Sequence, residues 1–279
     1  MLRTRIWMVW CLLCFAGAAC AQNAPLVNAF AHNDYQHKRP LFEALSNGYT
    51  YIEADVYVHS NKLVITHVLP AIHHSRTLEG LYLKPLADYI QNNKGEVYTG
   101  YTGQVTLMID IKSDANKTYA LLKPLLEKYR SILSGYQNGI LKTAPVRIVF
   151  SGNKPFDTLR NDPDRLAFID EDLRKIDRDT IKNENMMAMA SCKYSKLLSW
   201  KGSGILSDRE RTRLTAYVAD AHRHGAKVRL WSSPDSQVVW KQLLACGVDL
   251  INTDKLARLK DFLVSNAPDT RPEIKSATR

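Results

Sequence analysis

An α/β fold, a TIM (β/α)8 barrel of parallel strands with surrounding helices, is what the sequence predicts, and three observations predict it. Short apolar runs rich in β-branched residues alternate with longer amphipathic stretches. That is the pattern of a parallel sheet with helical crossovers. Eight such runs fall within about 240 residues, the size typical of such a barrel. No glycine-rich turn follows the first run, as a doubly wound nucleotide-binding sheet would be expected to have.

Leu26–His32 is expected as the first strand, and Pro40–Asn47 as a short helix closed by Gly48. Tyr51–Val58 is the second strand, extended or paired by Leu63–His67. Leu86–Asn92 is helical. Val105–Lys112 is the third strand, with a helix from about Asn116 to Tyr129. Val146–Ser151, Leu166–Ile169 and Met186–Ser191 are the fourth to sixth strands, with a brief helix at Phe156–Arg160. A long helix at Asp208–His224 precedes the seventh strand, Lys227–Ser232. A helix at Val238–Cys246, the eighth strand Leu250–Thr253 and a closing helix Leu256–Val264 complete the set. Leu69–Tyr82 reads as a loop, and the polar tail from Ala267 is expected to fray.

Composition bounds the function. The chain has 279 residues, 45% of them hydrophobic and 24% charged, which excludes a disordered or collagen-like chain. The N-terminus reads as a secretory signal over residues 1–21, followed by one barrel domain over 22–279. Arg3 and Arg5 form its basic part, Ile6 to Ala19 its apolar part, and Ala19-Cys20-Ala21 its cleavage site before Gln22. Export to a periplasmic or extracellular space is therefore expected. Lipidation at Cys20 is the weaker reading, because Gly17 stands where a bulky apolar residue is expected. Cys11, Cys14 and Cys20 leave with the signal. Cys192 and Cys246 can then pair or be buried thiols, so hydrophobic burial must hold the fold. Loss of two arginines and no acid takes the net charge from +10 to +8. That charge suits an anionic substrate or surface, and association with a membrane surface stays open. There is no nucleic-acid-binding motif, and oligomeric state is not readable.

The polar residues at strand ends carry the chemistry, because a barrel of this type keeps its site at the C-terminal ends of its strands. Glu53 and Asp55 are two apart on one strand and face the same way, while Ile52, Ala54 and Val56 face the helices. Asp110 and Lys112 repeat the pattern on the next strand. Carboxylates turned into a barrel repel one another, and a bound cation relieves this. Three oxygen donors suit one divalent hard ion, Mg2+ or Ca2+, rather than a structural zinc. His32 and His67, at strand ends beside such an ion, can exchange a proton near neutral pH. A cation, a lysine and two histidines together suit a phosphate ester. A single His or a single Glu-x-Asp on a strand is more often surface polarity than a site, and Asp110-x-Lys112 alone reads equally well as a structural ion pair; their convergence at strand ends in one sector of the barrel favours a site. Ser151, Lys154 and Lys193 are further candidates for the pocket. Of the other histidines, His59 is expected in a solvent-facing turn and His37 beside the first helix. His73 and His74 fall in the loop, and His222 and His224 at a helix C-terminus.

The run His32, Glu53-Ala54-Asp55-Val56 and Leu63-Val64-Ile65-Thr66-His67 resembles the opening of the glycerophosphodiester phosphodiesterase family, within the phosphatidylinositol-phospholipase-C-like superfamily. Leu107-Met108-Ile109-Asp110-Ile111-Lys112 resembles its third strand. Val228-Arg229-Leu230-Trp231 and Gly247-Val248-Asp249-Leu250-Ile251-Asn252-Thr253-Asp254 resemble its last two. The resemblance implies a TIM barrel, His32 and His67 as the acid/base pair, and Glu53, Asp55 and Asp110 as metal ligands. It also implies that Lys112 contacts phosphate and that Trp231 lines the pocket, and Asn33, beside His32, is expected as a further substrate contact. Here His32-Asn33-Asp34 replaces the family's His-Arg-Gly, Val68 an aspartate, and Asp110 a glutamate. The first and last of these are more similar to the sphingomyelinase-D-like branch. The implied function is an exported metal-dependent phosphodiesterase acting on a glycerophosphodiester or phospholipid headgroup, by histidine acid/base catalysis and with a cyclic phosphate as one route. The competing readings are a phospholipase-D-like enzyme, a non-catalytic lipid- or carbohydrate-binding barrel, and a glycosidase.

Overall fold

The computed structural model describes residues 24–68, 75–176 and 185–266. The elements in the first half are β1 (Leu26–Ala31), α1 (Phe42–Ser46), β2 (Tyr49–His59), β3 (Lys62–Ile65), α2 (Lys84–Asn92), β4 (Val105–Ile111) and α3 (Ala115–Lys128). Next come β5 (Gly135–Gln137), β6 (Ile140–Lys142), β7 (Val146–Gly152), α4 (Phe156–Arg160), β8 (Phe168–Asp172) and β9 (Met187–Lys193). The last are α5 (Asp208–Arg223), β10 (Lys227–Trp231), α6 (Gln237–Ala245), β11 (Ile251–Thr253) and α7 (Leu256–Ser265). The leader expected over residues 1–21, His73, His74 and the tail from Ala267 lie outside the described residues.

Eight strands run parallel in the order β1, β2, β4, β7, β8, β9, β10, and β11 returns to the side of β1. A bridge between Arg229 and Leu250 joins β10 to β11, so the ring is nearly closed. This is the expected TIM-type barrel. Strand alternation builds it. Ile52, Ala54 and Val56 of β2, with Ile109 and Ile111 of β4, turn outward into the helices. The next residues along turn inward. Phe30, Met108, Val149, Phe168, Met189 and Leu250 fill the lower barrel, with Tyr136 of the β5–β6 hairpin packed among them. Above this apolar plug lies a buried polar layer of Glu53, Asp55, Asp170, Ser191, Arg229 and Asn252.

Local sequence fixes the helix starts. The Asp114 side chain accepts from Lys117 N at 2.8 Å to open α3, and Ser207 and Ser236 cap α5 and α6 in the same way. Ser60 and Asn61, both at positive φ, turn β2 back onto β3. That hairpin is the tight two-residue kind whose twist matches its strands. It carries the chain up from β2 and returns it, so that His67 comes back over the barrel mouth.

Four expectations are corrected. His59 is the last residue of β2, half-buried and paired with Lys62, not part of a turn. The segment read as a loop to Tyr82 includes a π-helical turn, Glu79–Leu83, that runs into α2 and buries Tyr82 and Leu83. The fifth barrel strand is shifted toward the C-terminus and includes Asp170, Glu171 and Asp172. His222 does more than sit at a helix end: its Nε2 lies 2.7 Å from Asp249 Oδ2. Cys192 and Cys246 are free and buried.

Candidate functional site

The polar layer opens into a cavity of about 780 Å3 at the C-terminal ends of the barrel strands, and His32, Asn33, Glu53, His67, Asp110, Lys112 and Trp231 all line it. Asp55 lies just beneath, 1% exposed. An outer groove between α3 and α4, of similar size at about 800 Å3, is lined by residues such as Tyr119 and Asn161 and holds none of these.

β2 and β4 pair in parallel with Asp55 opposite Asp110, which sets the acidic cluster. One carboxylate oxygen from each of Glu53, Asp55 and Asp110 lies within 4.8 Å of the others. Lys112 Nζ donates to Asp110 Oδ2 at 2.7 Å and lies 3.4 Å from Asp55 Oδ2. Burial, then the neighbouring Glu53 charge, pushes the Asp55 carboxyl above its usual pKa, although Lys112 opposes this. Burial alone would lower the Lys112 pKa, but Asp110, Asp55 and Glu53 raise it.

These residues fit a divalent cation. Asp110 Oδ1 is buried without a hydrogen-bond partner. It faces Gly152, whose missing Cβ leaves the space: a methyl there would lie 2.2 Å from that oxygen. Glu53, Asp55 and Asp110 bring three carboxylates to one point of the cavity, and Lys112 and Arg229 are the cations that touch them.

Both histidines are oriented by acids. His32 Nδ1 lies 2.7 Å from Asp254 Oδ1, while its Nε2 is 3.7 Å from Glu53 Oε2. Burial pulls the His32 pKa down, but the hydrogen bond to Asp254 and the charges of Glu53 and Asp254 outweigh it, leaving it raised. The same bond holds the Asp254 carboxyl below its usual value. His67 Nδ1 lies 2.7 Å from Asp55 Oδ2, which leaves Nε2 for the cavity. Tyr35 stands between them: its hydroxyl is 2.8 Å from Asn33 Oδ1, 3.0 Å from Asp55 Oδ2 and 3.3 Å from His67 Nδ1. Asn33 itself has left-handed backbone, φ 49°, and donates its N–H to Glu53 Oε2 at 3.1 Å. Asparagine tolerates that conformation better than most residues.

All of the proposed site residues thus come together. Sequence reasoning gave no role to Tyr35, Asp170, Arg229 and Asp254. Arg229 is 4% exposed and sits at the centre: Nη1 donates to Glu53 Oε1 and Asn252 Oδ1, both at 3.2 Å, and its guanidinium lies over Phe30. It supplies an arginine to the barrel interior, although the first strand has none. Asp170 accepts from Ser151 Oγ at 3.1 Å, and burial raises its pKa strongly enough to outweigh Arg229. An inward residue two places before the end of a barrel strand was the available signal for both.

The AIM6-like phosphodiesterase domain matches residues 19–170, the stretch that carries both histidines, all three clustered carboxylates and Lys112. The glycerophosphoryl diester phosphodiesterase family matches residues 227–257, which carry Arg229, Trp231 and Asp254. Altered inheritance of mitochondria protein 6 of Eremothecium gossypii is 31% identical over 273 residues, covering 85% of this chain and 69% of the relative. The protein of that name in Kluyveromyces lactis is 28% identical, with 84% and 72% covered. A homolog in Arthroderma benhamiae is 25% identical, with 83% and 82% covered. No solved structure matches.

Proposed function

The chain belongs to the AIM6-like phosphodiesterase family, and from that premise we propose that it hydrolyses a phosphodiester, a glycerophosphodiester or phospholipid headgroup, in the cavity above the barrel plug. The observation that carries the reading is the convergence of two acid-paired imidazoles on one cluster of three carboxylates. Glu53, Asp55 and Asp110 would hold one divalent cation, Mg2+ or Ca2+, which would set positive charge against the phosphoryl oxygens.

The protein's own groups do the rest. Lys112, with its ammonium at the edge of the carboxylate cluster, binds a phosphoryl oxygen, and Asn33 and Trp231 border the same space. Asp254 holds His32 by Nδ1 and Asp55 holds His67 by Nδ1, so each ring presents Nε2 to the ester. One imidazole takes the proton of the attacking oxygen; the other gives a proton to the leaving oxygen as the phosphorus–oxygen bond breaks. When the attacking oxygen is a neighbouring hydroxyl of the substrate, the first product is a cyclic phosphate, and water opens it with the two roles exchanged. Export belongs to the same reading, on the basis of Arg3, Arg5 and the apolar run to Ala19. A mature protein whose mass begins at Gln22 would support it; one that retains the leader would not.

The test is turnover of a glycerophosphodiester panel and bis-p-nitrophenyl phosphate, with and without EDTA. Activity that chelation abolishes and Mg2+ or Ca2+ restores is expected, with His32→Ala and His67→Ala each lowering kcat by about 10²- to 10⁴-fold. Full turnover in His32→Ala, or activity indifferent to chelation, overturns the acid/base or the metal part respectively. A wild-type protein that binds these esters and turns over none is a binding barrel.

A further inference from the structure

Around the ring of eight strands, β9 and β10 stand four places from β2 and β4, so they form the wall of the cavity opposite the clustered carboxylates. That wall is cationic and aromatic. Lys193 ends β9, Lys196 follows in the next turn, Trp231 ends β10, and all three line the cavity. The other cations there already face acids: Lys112 bonds Asp110, Arg229 bonds Glu53, Arg174 grips Asp172, and Lys154 lies 3.9 Å from Glu171. Lys193 and Lys196 differ. Neither has a carboxylate within 4.0 Å among the described residues. The Lys193 ammonium instead stands 5.7 Å from the centre of the Trp231 ring.

A part of the substrate that reaches this wall meets two ammonium groups that no carboxylate among the described residues answers, and an indole. An aromatic face would ordinarily attract a choline or ethanolamine headgroup. Here a lysine already lies over that face, and a second cation is repelled by it and by Lys196. An anionic group is drawn in, because each ammonium offers it charge-assisted hydrogen bonds. We infer that the substrate carries a second anionic substituent, a phosphate monoester or carboxylate, on the alcohol remote from the clustered carboxylates, and that cationic headgroups are discriminated against. This rests on the phosphodiesterase reading of the same cavity, and it names the substrate class that the reading leaves open.

Three glycerophosphodiesters that differ in the second alcohol test it: choline, glycerol and glycerol phosphate. The expected order of kcat/KM is glycerol phosphate, then glycerol, then choline, with roughly tenfold between the first and last for each lysine engaged. Lys193→Ala and Lys196→Ala together bring the three values toward one another, through KM more than kcat. Equal or faster turnover of the choline ester, or a ratio unmoved in the double variant, overturns the inference. If the wild type turns over none of the three, the phosphodiesterase reading fails and binding decides this one. Calorimetry with Mg2+ present then compares glycerol 1,3-bisphosphate with phosphocholine. At least tenfold tighter binding of the bisphosphate, lost in the double variant, supports it; equal affinity overturns it.

Discussion

Arg229 shows what one residue contributes at this site. It is the cation that makes a buried Glu53 and Asp170 tolerable, and Phe30 packs against its guanidinium. Truncation leaves two buried carboxylates uncompensated, a loss far larger than the net worth of the pair. Arg229→Met is expected to cost about 3–5 kcal/mol of folding stability, measured by urea unfolding. A loss below about 1 kcal/mol would mean the carboxylates take up protons instead. Gly152 acts by what it lacks. Its φ of +66° and the 2.2 Å approach of a would-be Cβ to Asp110 Oδ1 leave no room for alanine. Gly152→Ala is expected to lower stability, since the added methyl also meets the Ile111 carbonyl oxygen at 2.6 Å, and to weaken divalent-cation binding by roughly tenfold or more on calorimetry of the folded variant. At this scale the sequence was partly legible. Glu53, Asp55 and Asp110 announce themselves by alternation on two strands. Asp254 was visible at a strand end, but its pairing with His32 spans 222 positions and exists once the ring closes. Arg229, between Val228 and Leu230, carries no local mark of the acid it meets 176 positions away.

Elements meet at the other end of the barrel through Asp249. Its carboxylate accepts from Val228 N at 2.8 Å and Lys227 Nζ at 2.8 Å and lies 2.7 Å from His222 Nε2; its own carbonyl accepts from Asn28. One side chain thereby ties β10 and α5 together just before β11. Burial raises the Asp249 pKa, but Lys227, the Val228 N–H and His222 together outweigh it and leave it depressed. A depressed carboxyl stabilises the fold above the unfolded-state pKa, near 4, and that contribution is lost as pH falls through the lower folded value. Wild-type stability is therefore expected to drop on the acid side of about pH 4, and Asp249→Asn to show a shallower drop there from a lower neutral value. Matched thermal melts between pH 3 and 7 check it; parallel curves would count against the linkage. The strands themselves were legible because outward Ile, Val and Ala alternate with inward residues. The β5–β6 hairpin was not, although Asn138 and Gly139, at φ 50° and 73°, form the turn. Its strands are three residues long, too short for a period to register. β8 was placed early because its last residues, Asp170-Glu171-Asp172, resemble a loop. In a barrel, polar strand ends are the mouth.

For the molecule as a whole, a cation held by the clustered carboxylates would link stability to metal. A ligand that binds the folded chain alone stabilises it by about 2.7 kcal/mol at one hundred times its Kd. The melting temperature is therefore expected to rise by several degrees when Mg2+ or Ca2+ is added to chelated protein, and not with Na+ at equal ionic strength. An unchanged melt would remove the cation from the site. The overall architecture was the most legible level, since eight strand-like runs and their spacing suffice for it. What spacing could not convey was the depth of the cavity, because that depends on which inward side chains fill the barrel below it. Phe30, Met108, Val149, Phe168 and Tyr136 do so, all buried. The result is a blind well rather than a tunnel. Whatever enters such a well leaves by the mouth it came in through, so under the hydrolase reading a lingering fragment would compete directly with the incoming molecule for the same threshold.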